Sequence, residues 1–465
     1  MTQAADSRTY WAPRAWLDGS WHEQVRLEFD AQGAWVAITP DAGWAPPGAT
    51  VLAGPVLPGL VDAHSHAFQR AMAGLAERRE AGQDDFWSWR DRMYGVALRI
   101  SPEQLRAVAA QLYVELLRGG YTQVCEFHYL QHRPDGRSYD DPMELSWALA
   151  DAAADAGVGL TLLPVLYERA GFAQPALRDD QRRFASTPAS VIALHRAAAR
   201  SGRRLLHAGL AIHSLRAATS TSVHELRRLA DGVEGPLHIH VAEQEAEVAD
   251  CLQATGARPI EWLAREGLLD ARWQLVHATH ALPAEIDAVA RCGAAIVVCP
   301  GTEANLGDGL TDLPRWLDAL VPIGLGSDSQ VTRSWTEELR WLEYGQRLGR
   351  RQRNIAARPE VQPATAARLF DRVLGAGAAA AGLPRWGLVT GARADFVVLD
   401  AADPSLLGVP PAYALDALVF SAPGDAIRDV YVAGGCVVRD RRHATQDAIA
   451  ARFAQAMAQL WSGGG

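Results

Sequence analysis

Eight short apolar runs, spaced by segments of helical periodicity, limit how this chain can fold more than any other feature. They lie at residues 56–60, 122–127, 160–166, 205–212, 237–241, 274–278, 294–299 and 322–326. Most are almost continuously apolar, as strands buried on both faces must be, and such strands belong to a parallel sheet covered by helices. Eight β/α alternations between residues 56 and 385 predict a (β/α)8 barrel. A doubly wound sheet is the competing arrangement, but no run is followed by the G-x-G-x-x-G turn of a dinucleotide site. The helix signals between the runs are explicit. Ser101-Pro102-Glu103-Gln104 supplies an N-cap, a first-turn proline and a capping box, and Gly119-Gly120 ends the segment.

Both ends read differently. Residues 1–55 contain short alternating stretches punctuated by Gly33, Pro40, Gly43 and Pro46-Pro47-Gly48, and residues 386–445 repeat that texture. The expectation is a small β-sandwich domain built from 1–55 and 386–445, a (β/α)8 barrel over 56–385, and a C-terminal helix and tail over 446–465.

Charge and composition exclude several classes. The 45 basic and 54 acidic residues leave a net charge of −9, which argues against a nucleic-acid partner. No stretch of 18 uncharged apolar residues occurs, so no membrane span is expected. The first eight residues lack the basic-then-apolar order of a secretion signal. Five cysteines, never spaced C-x-x-C, point to a reducing cytoplasm rather than a disulfide framework. All 45 basic residues are arginine. Schiff-base lysine chemistry, a phosphate-loop lysine and a metal pair bridged by a carboxylated lysine are thereby ruled out.

Chemistry-bearing residues gather just after the runs, where a barrel carries its active site. Run one leads into Asp62-Ala63-His64-Ser65-His66, and the two-residue period places both imidazoles on one side. Run five contains His238-Ile239-His240 and leads to Glu243, run six gives His277-Ala278-Thr279-His280, and run eight gives Ser327-Asp328-Ser329. One H-x-H is weak evidence, since buried histidines often serve packing. Four such positions in barrel order make a metal site, and imidazoles with one carboxylate suit Zn²⁺ or a similar divalent ion. A catalytic site of this kind keeps one position open for water, whose pKa falls toward ~7. Spacing alone does not choose between His238 and His240.

These residues resemble the amidohydrolase superfamily, and its mononuclear deaminase branch in particular. The likeness rests on Pro58-Gly59-Leu60-Val61-Asp62-Ala63-His64-Ser65-His66, on the histidines of runs five and six, on Gly326-Ser327-Asp328-Ser329, and on Gly391-Ala392-Arg393-Ala394-Asp395-Phe396. More narrowly, the chain resembles the formimidoylglutamate deiminases of histidine degradation. That likeness rests on Phe86-Trp87-Ser88-Trp89-Arg90, Glu126-Phe127-His128-Tyr129 and His213-Ser214-Leu215-Arg216.

The resemblance implies one Zn²⁺ per chain, held by His64, His66, His240 and Asp328, with His238 packed in the interior. It makes His277 and Asp328 catalytic beside the attacking water and Glu243 the group that carries protons to nitrogen. It implies hydrolysis of N-formimino-L-glutamate to N-formyl-L-glutamate and ammonia. The dicarboxylate substrate would meet the guanidinium forks of Arg90 and Arg216, with Gln69, Tyr129 and His213 as further hydrogen-bonding groups. A homodimer is expected by the same resemblance. Gly301 stands where a serine is usual and Gln330 where a histidine is common, so the pocket rim departs from the pattern. Two other readings compete: a purine, pyrimidine or triazine-like ring deaminase on the same fold, and a catalytically silent barrel used for binding. A neutral ring needs no pair of guanidinium forks, and a silent barrel needs no complete proton-transfer set.

Overall fold

The computed structural model describes residues 8–79, 84–424 and 426–462. The N-terminal leader reading and the Gly463–465 tail therefore lie outside the described residues, except for Arg8.

The eight runs form a closed parallel barrel. Its strands, numbered along the barrel, are β1 (Leu60–Ser65), β2 (Tyr121–His128), β3 (Gly159–Leu166), β4 (Leu206–Ala208 and Leu210–Ile212), β5 (Leu237–Val241), β6 (Trp273–His277), β7 (Ala295–Val298) and β8 (Ile323–Leu325). Each pairs in parallel with its neighbours in chain order, and β8 returns to β1 through Leu325 opposite Asp62. Every residue of β1, β2, β3 and β5 is buried, which is why those runs read as nearly unbroken apolar sequence. The fourth run is not one strand but two. Gly209 divides it, and a Cβ there would meet Leu163 and Pro236 at 2.6 and 2.8 Å, so the chain passes too close for any side chain.

The seam is clasped by side chains. Asp62 accepts hydrogen bonds from the Ser327 backbone N–H at 2.9 Å and from Ser327 Oγ at 2.5 Å. The floor is filled by the helix Thr365–Ala381, whose alanine-rich end fits against the strands. There the Ala380 carbonyl receives His238 Nε2 at 3.0 Å and Cys125 Sγ at 3.3 Å, and the Ala381 carbonyl receives Thr161 Oγ1 at 2.8 Å. Between β1 and β2 the helix Pro102–Arg118 is capped as its sequence requires, Ser101 Oγ accepting from Gln104 N–H and Gln104 Oε1 from Ser101 N–H.

Both termini build a separate nine-stranded sheet. Val56–Pro58 pairs in parallel with Arg8–Leu17 and antiparallel with Phe396–Leu399, tying the two ends of the chain together. Asp18 and Gly19, both at positive φ (46° and 78°), form the two-residue turn joining the first hairpin. Its alternating residues Val25, Leu27 and Phe29 face a distinct core with Trp35, Phe396 and Tyr431. The last described element, the helix Gln446–Trp461, packs on Pro102–Arg118. Among the described residues no helix is long and apolar enough to cross a membrane.

Candidate metal centre and active site

The strand ends of β1, β5, β6 and β8 converge on one buried point. His64 Nε2 lies 3.1 Å from His66 Nε2 and 2.9 Å from His240 Nε2, and the His66 and His240 Nε2 atoms are 3.4 Å apart. Asp328 Oδ1 stands 3.4 and 3.3 Å from the first two. His66 Nδ1 faces the Phe127 carbonyl and His240 Nδ1 the His213 carbonyl, each at 2.9 Å. A carbonyl only accepts, so both Nδ1 atoms carry the proton and both Nε2 atoms present bare lone pairs. Burial first, and neighbouring imidazoles second, push the His64 and His240 pKa values well below the ordinary histidine value, and burial also lowers that of His66. Neutral imidazoles whose lone pairs converge beside a carboxylate repel one another unless a cation lies between them. The donor set fits a divalent ion of the zinc type.

His238, two residues earlier on the same strand face, lies one layer deeper on the barrel floor and is bound to the Ala380 carbonyl. Position along β5, not direction, separates the two histidines.

Backbone at this rim is strained. Ala242, His277, Ala278, Asp328 and Gln330 all have positive φ, between 47° and 70°. Such values cost roughly 1–2 kcal/mol per non-glycine residue and persist where surrounding contacts enforce them. Gln330 Nε2 donates to the Asp328 carbonyl at 2.8 Å and to Ser65 Oγ at 3.1 Å, bracing β8 against β1. The residue that departs from the family pattern here supports Asp328. Gly301 is also explained: a Cβ would lie 2.7 Å from Thr332 and 2.8 Å from the Glu338 carboxylate.

His277 Nε2 lies 3.7 Å from Glu243 Oε1 and 3.8 Å from Asp328 Oδ2. Asp328 thus turns one oxygen to the imidazole cluster and the other to His277. Burial opposes charge on His277, but Glu243, Glu303 and Asp328 outweigh it and raise its pKa. Burial pushes the Glu243 carboxyl up to about 7, against the attraction of His277. Glu243 is no exposed helix-start carboxylate. Glu247 folds back to accept the Ala242 and Glu243 backbone N–H groups, aiming Glu243 at the pocket. Asp308, which sequence reading overlooked, accepts from Gln244 Nε2 and shares a cluster with Glu243 and His277.

One pocket joins these groups to the substrate-binding candidates. Its walls include Gln69, Arg90, Tyr129, His213 and Arg216, and also Trp89, Met93, Tyr94, Tyr167 and Leu306. Gln69 Nε2 donates to Tyr129 Oη at 3.1 Å. Arg90 and Arg216 both pack on Trp87, their guanidinium carbons 4.5 and 5.3 Å from the centre of its ring. Neither guanidinium forms an ion pair with a carboxylate among the described residues, although Glu247 and Glu243 lie within electrostatic reach of Arg216, and Arg90 Nε is buried without any hydrogen-bond partner. Tyr94, Met93 and Tyr167 had no local signal. Their only hint was a place on the inserted helix Phe86–Ala97, or just past the end of β3, at the rim where barrel loops build pockets.

The barrel, its terminal sheet and this cluster define the metal-dependent hydrolase architecture, and the chain belongs to the amidohydrolase family, whose model matches residues 56–437. Among curated relatives, the formimidoylglutamate deiminase of Pseudomonas aeruginosa is 47% identical over 97% of this chain and 98% of its own. A 5-methylthioadenosine/S-adenosylhomocysteine deaminase of Natronomonas pharaonis is 28% identical over 84% of this chain and 83% of its own. The crystal structure of an amidohydrolase from Brucella melitensis superposes with a TM-score of 0.92 at 41% identity, covering 97% of this chain and 99% of that one.

Proposed function

We propose that this chain hydrolyses N-formimino-L-glutamate to N-formyl-L-glutamate and ammonia, in histidine degradation, with one Zn²⁺ held by His64, His66, His240 and Asp328. The observation that carries this reading is the pair of guanidiniums, Arg90 and Arg216, both free of ion pairs among the described residues, in the same pocket as Glu243 and His277. Two cations facing one small pocket call for a ligand with two anionic groups. The relative at 47% identity is named for an enzyme acting on such a compound. The relative at 28% identity is named for two adenosine derivatives, of which 5-methylthioadenosine has no carboxylate and S-adenosylhomocysteine only one, so neither matches a pair of guanidiniums.

Zinc at this cluster supplies Lewis acidity that lets water act as a nucleophile near neutral pH. The chain's own groups do the rest. Arg90 and Arg216 anchor the carboxylates, with Gln69, Tyr129 and His213 beside them, and so set the formimino carbon against the histidine cluster. Asp328, through the oxygen facing His277, takes a proton from water as its oxygen joins that carbon. His277, held by Glu303, donates an N–H to the same oxygen. Glu243, ionised at the outset and poised near neutrality, takes up the proton that oxygen still holds and delivers it to the terminal nitrogen; the carbonyl forms, the carbon–nitrogen bond breaks, and ammonia leaves. Ionised Glu243 also complements the cationic formimino group before the reaction.

Incubating zinc-loaded protein with N-formimino-L-glutamate, and weighing the organic product by mass spectrometry, tests the proposal. Ammonia with N-formylglutamate is the expected outcome. Glutamate with formamide, or no reaction at full zinc occupancy, overturns it. We further propose a homodimer in a reducing cytoplasm, in keeping with five free cysteines. Size-exclusion chromatography with light scattering at working concentration tests the dimer.

A further inference from the structure

We infer that Gln181 presets the Tyr94–Tyr167 pair as a hydroxyl donor to a substrate carboxylate, making this trio a third element of the anion receptor beside Arg90 and Arg216. The inference rests on the dicarboxylate reading above and deepens it.

The argument is one of hydrogen-bond direction. Gln181 is fully buried in the short helical segment Asp179–Phe184, and its Oε1 accepts the Arg178 backbone N–H at 3.0 Å. A backbone N–H only donates, so the amide cannot be flipped and Nε2 must face the other way. Nε2 then donates to both phenol oxygens, at 3.0 Å to Tyr94 and 2.9 Å to Tyr167. The phenol oxygens are 3.3 Å apart. Two phenol hydrogens remain. One can lie between the two oxygens, and neither can point at the Gln181 nitrogen. The second has no protein acceptor among the described residues, while both rings line the pocket. Burial, and then Tyr94, hold the Tyr167 phenol well above its ordinary pKa, so its proton is retained.

The surroundings select what that hydrogen meets. Arg216 lies within electrostatic reach of both tyrosines, and the Arg90 guanidinium sits 5.6 Å from the Tyr94 ring. A subsite that offers only donors accepts a carboxylate and rejects an amide, whose NH₂ would oppose another donor.

The experiment compares wild type, Gln181→Glu and the double variant Tyr94→Phe/Tyr167→Phe, each zinc-loaded, on N-formimino-L-glutamate and on the two analogues that lack one carboxylate. Gln181→Glu keeps the shape and the Arg178 contact but accepts both phenol hydrogens. The double variant removes the hydroxyls without adding charge, and so separates lost donation from added repulsion. Both variants are expected to raise KM for the diacid about tenfold or more, with kcat changed less than threefold. Both should also lose discrimination against one of the two single-carboxylate analogues. An unchanged KM in the double variant, or kcat and KM failing together with zinc content, overturns the inference. If wild type itself turns over both analogues as well as the diacid, the dicarboxylate reading falls instead.

Discussion

Glu303 and His277 are joined across two barrel elements, with Glu303 Oε1 3.3 Å from His277 Nδ1 and accepting the Cys299 backbone N–H at 2.9 Å. The carboxylate stands in the first turn of the helix Pro300–Leu306, directly after β7, and His277 ends β6 in a left-handed conformation. An acceptor at Nδ1 fixes the proton there and turns Nε2 toward Glu243 and Asp328. Groups that orient a working imidazole in this way commonly contribute 10–100-fold in activity. Glu303→Gln should therefore lower kcat by about 10–100-fold while leaving zinc content and KM near wild type. Steady-state kinetics with metal analysis on the same preparation checks this, and unchanged kcat would show that the strained backbone alone aims the ring.

Glu243 makes a pH prediction. Burial raises its carboxyl to about 7, so below that pH it is protonated and above it ionised. A group that must shuttle a proton from water to nitrogen starts as the carboxylate, so kcat/KM should climb as pH rises through about 7 and then level. Glu243→Gln keeps the shape, should bind substrate and metal, and should lose at least about 100-fold in kcat together with that acidic limb. Persistence of the limb in the variant assigns it to another group.

The barrel was readable because its strands are buried on both faces, which leaves an unbroken apolar signature, and because the ligands follow those strands immediately. The two-residue period brought His64 and His66 together on paper as it does in space. The same period could not separate His238 from His240, because both face the barrel interior and differ only in depth along it. The split at Gly209 was hidden inside an apolar run, since the cause is a close approach of Leu163 and Pro236 from other segments. Tyr94, Tyr167 and Gln181 meet across stretches 14 to 87 residues apart, a relation that no local pattern records.

Arg90 and Arg216 are the arginines among the described residues that line the pocket, and neither is held in an ion pair there. Replacing either by methionine retains much of the apolar stem that packs on Trp87 and removes only the donor fork. A charge-assisted hydrogen bond of roughly 1.5–3 kcal/mol corresponds to about a 10–100-fold rise in KM for the diacid. The single-carboxylate analogues decide which carboxylate each arginine meets, because each variant should cost little on the analogue that lacks its partner. Equal losses on all three substrates would show that the arginines shape the pocket without reading charge.

Metal removal tests the converging lone pairs. With Nδ1 of His66 and His240 committed to carbonyls, the Nε2 atoms face one another without a proton to share, so the metal-free site is electrostatically unfavourable. A ligand that binds only the folded state at about 100 times its Kd adds about 2.7 kcal/mol of stability. Stripping the protein with a chelator should therefore lower Tm by several degrees, and one equivalent of Zn²⁺ should restore it. Calorimetric titration should give a stoichiometry near one, because the lysine-free chain has no carboxylated bridge for a second ion. In His240→Ala, which opens the cluster, the shift on adding zinc should shrink markedly. In His238→Ala, on the barrel floor, the zinc-induced shift should remain even though the lost Ala380 contact lowers the starting Tm. A zinc response lost equally in both would show that the two layers act as one site.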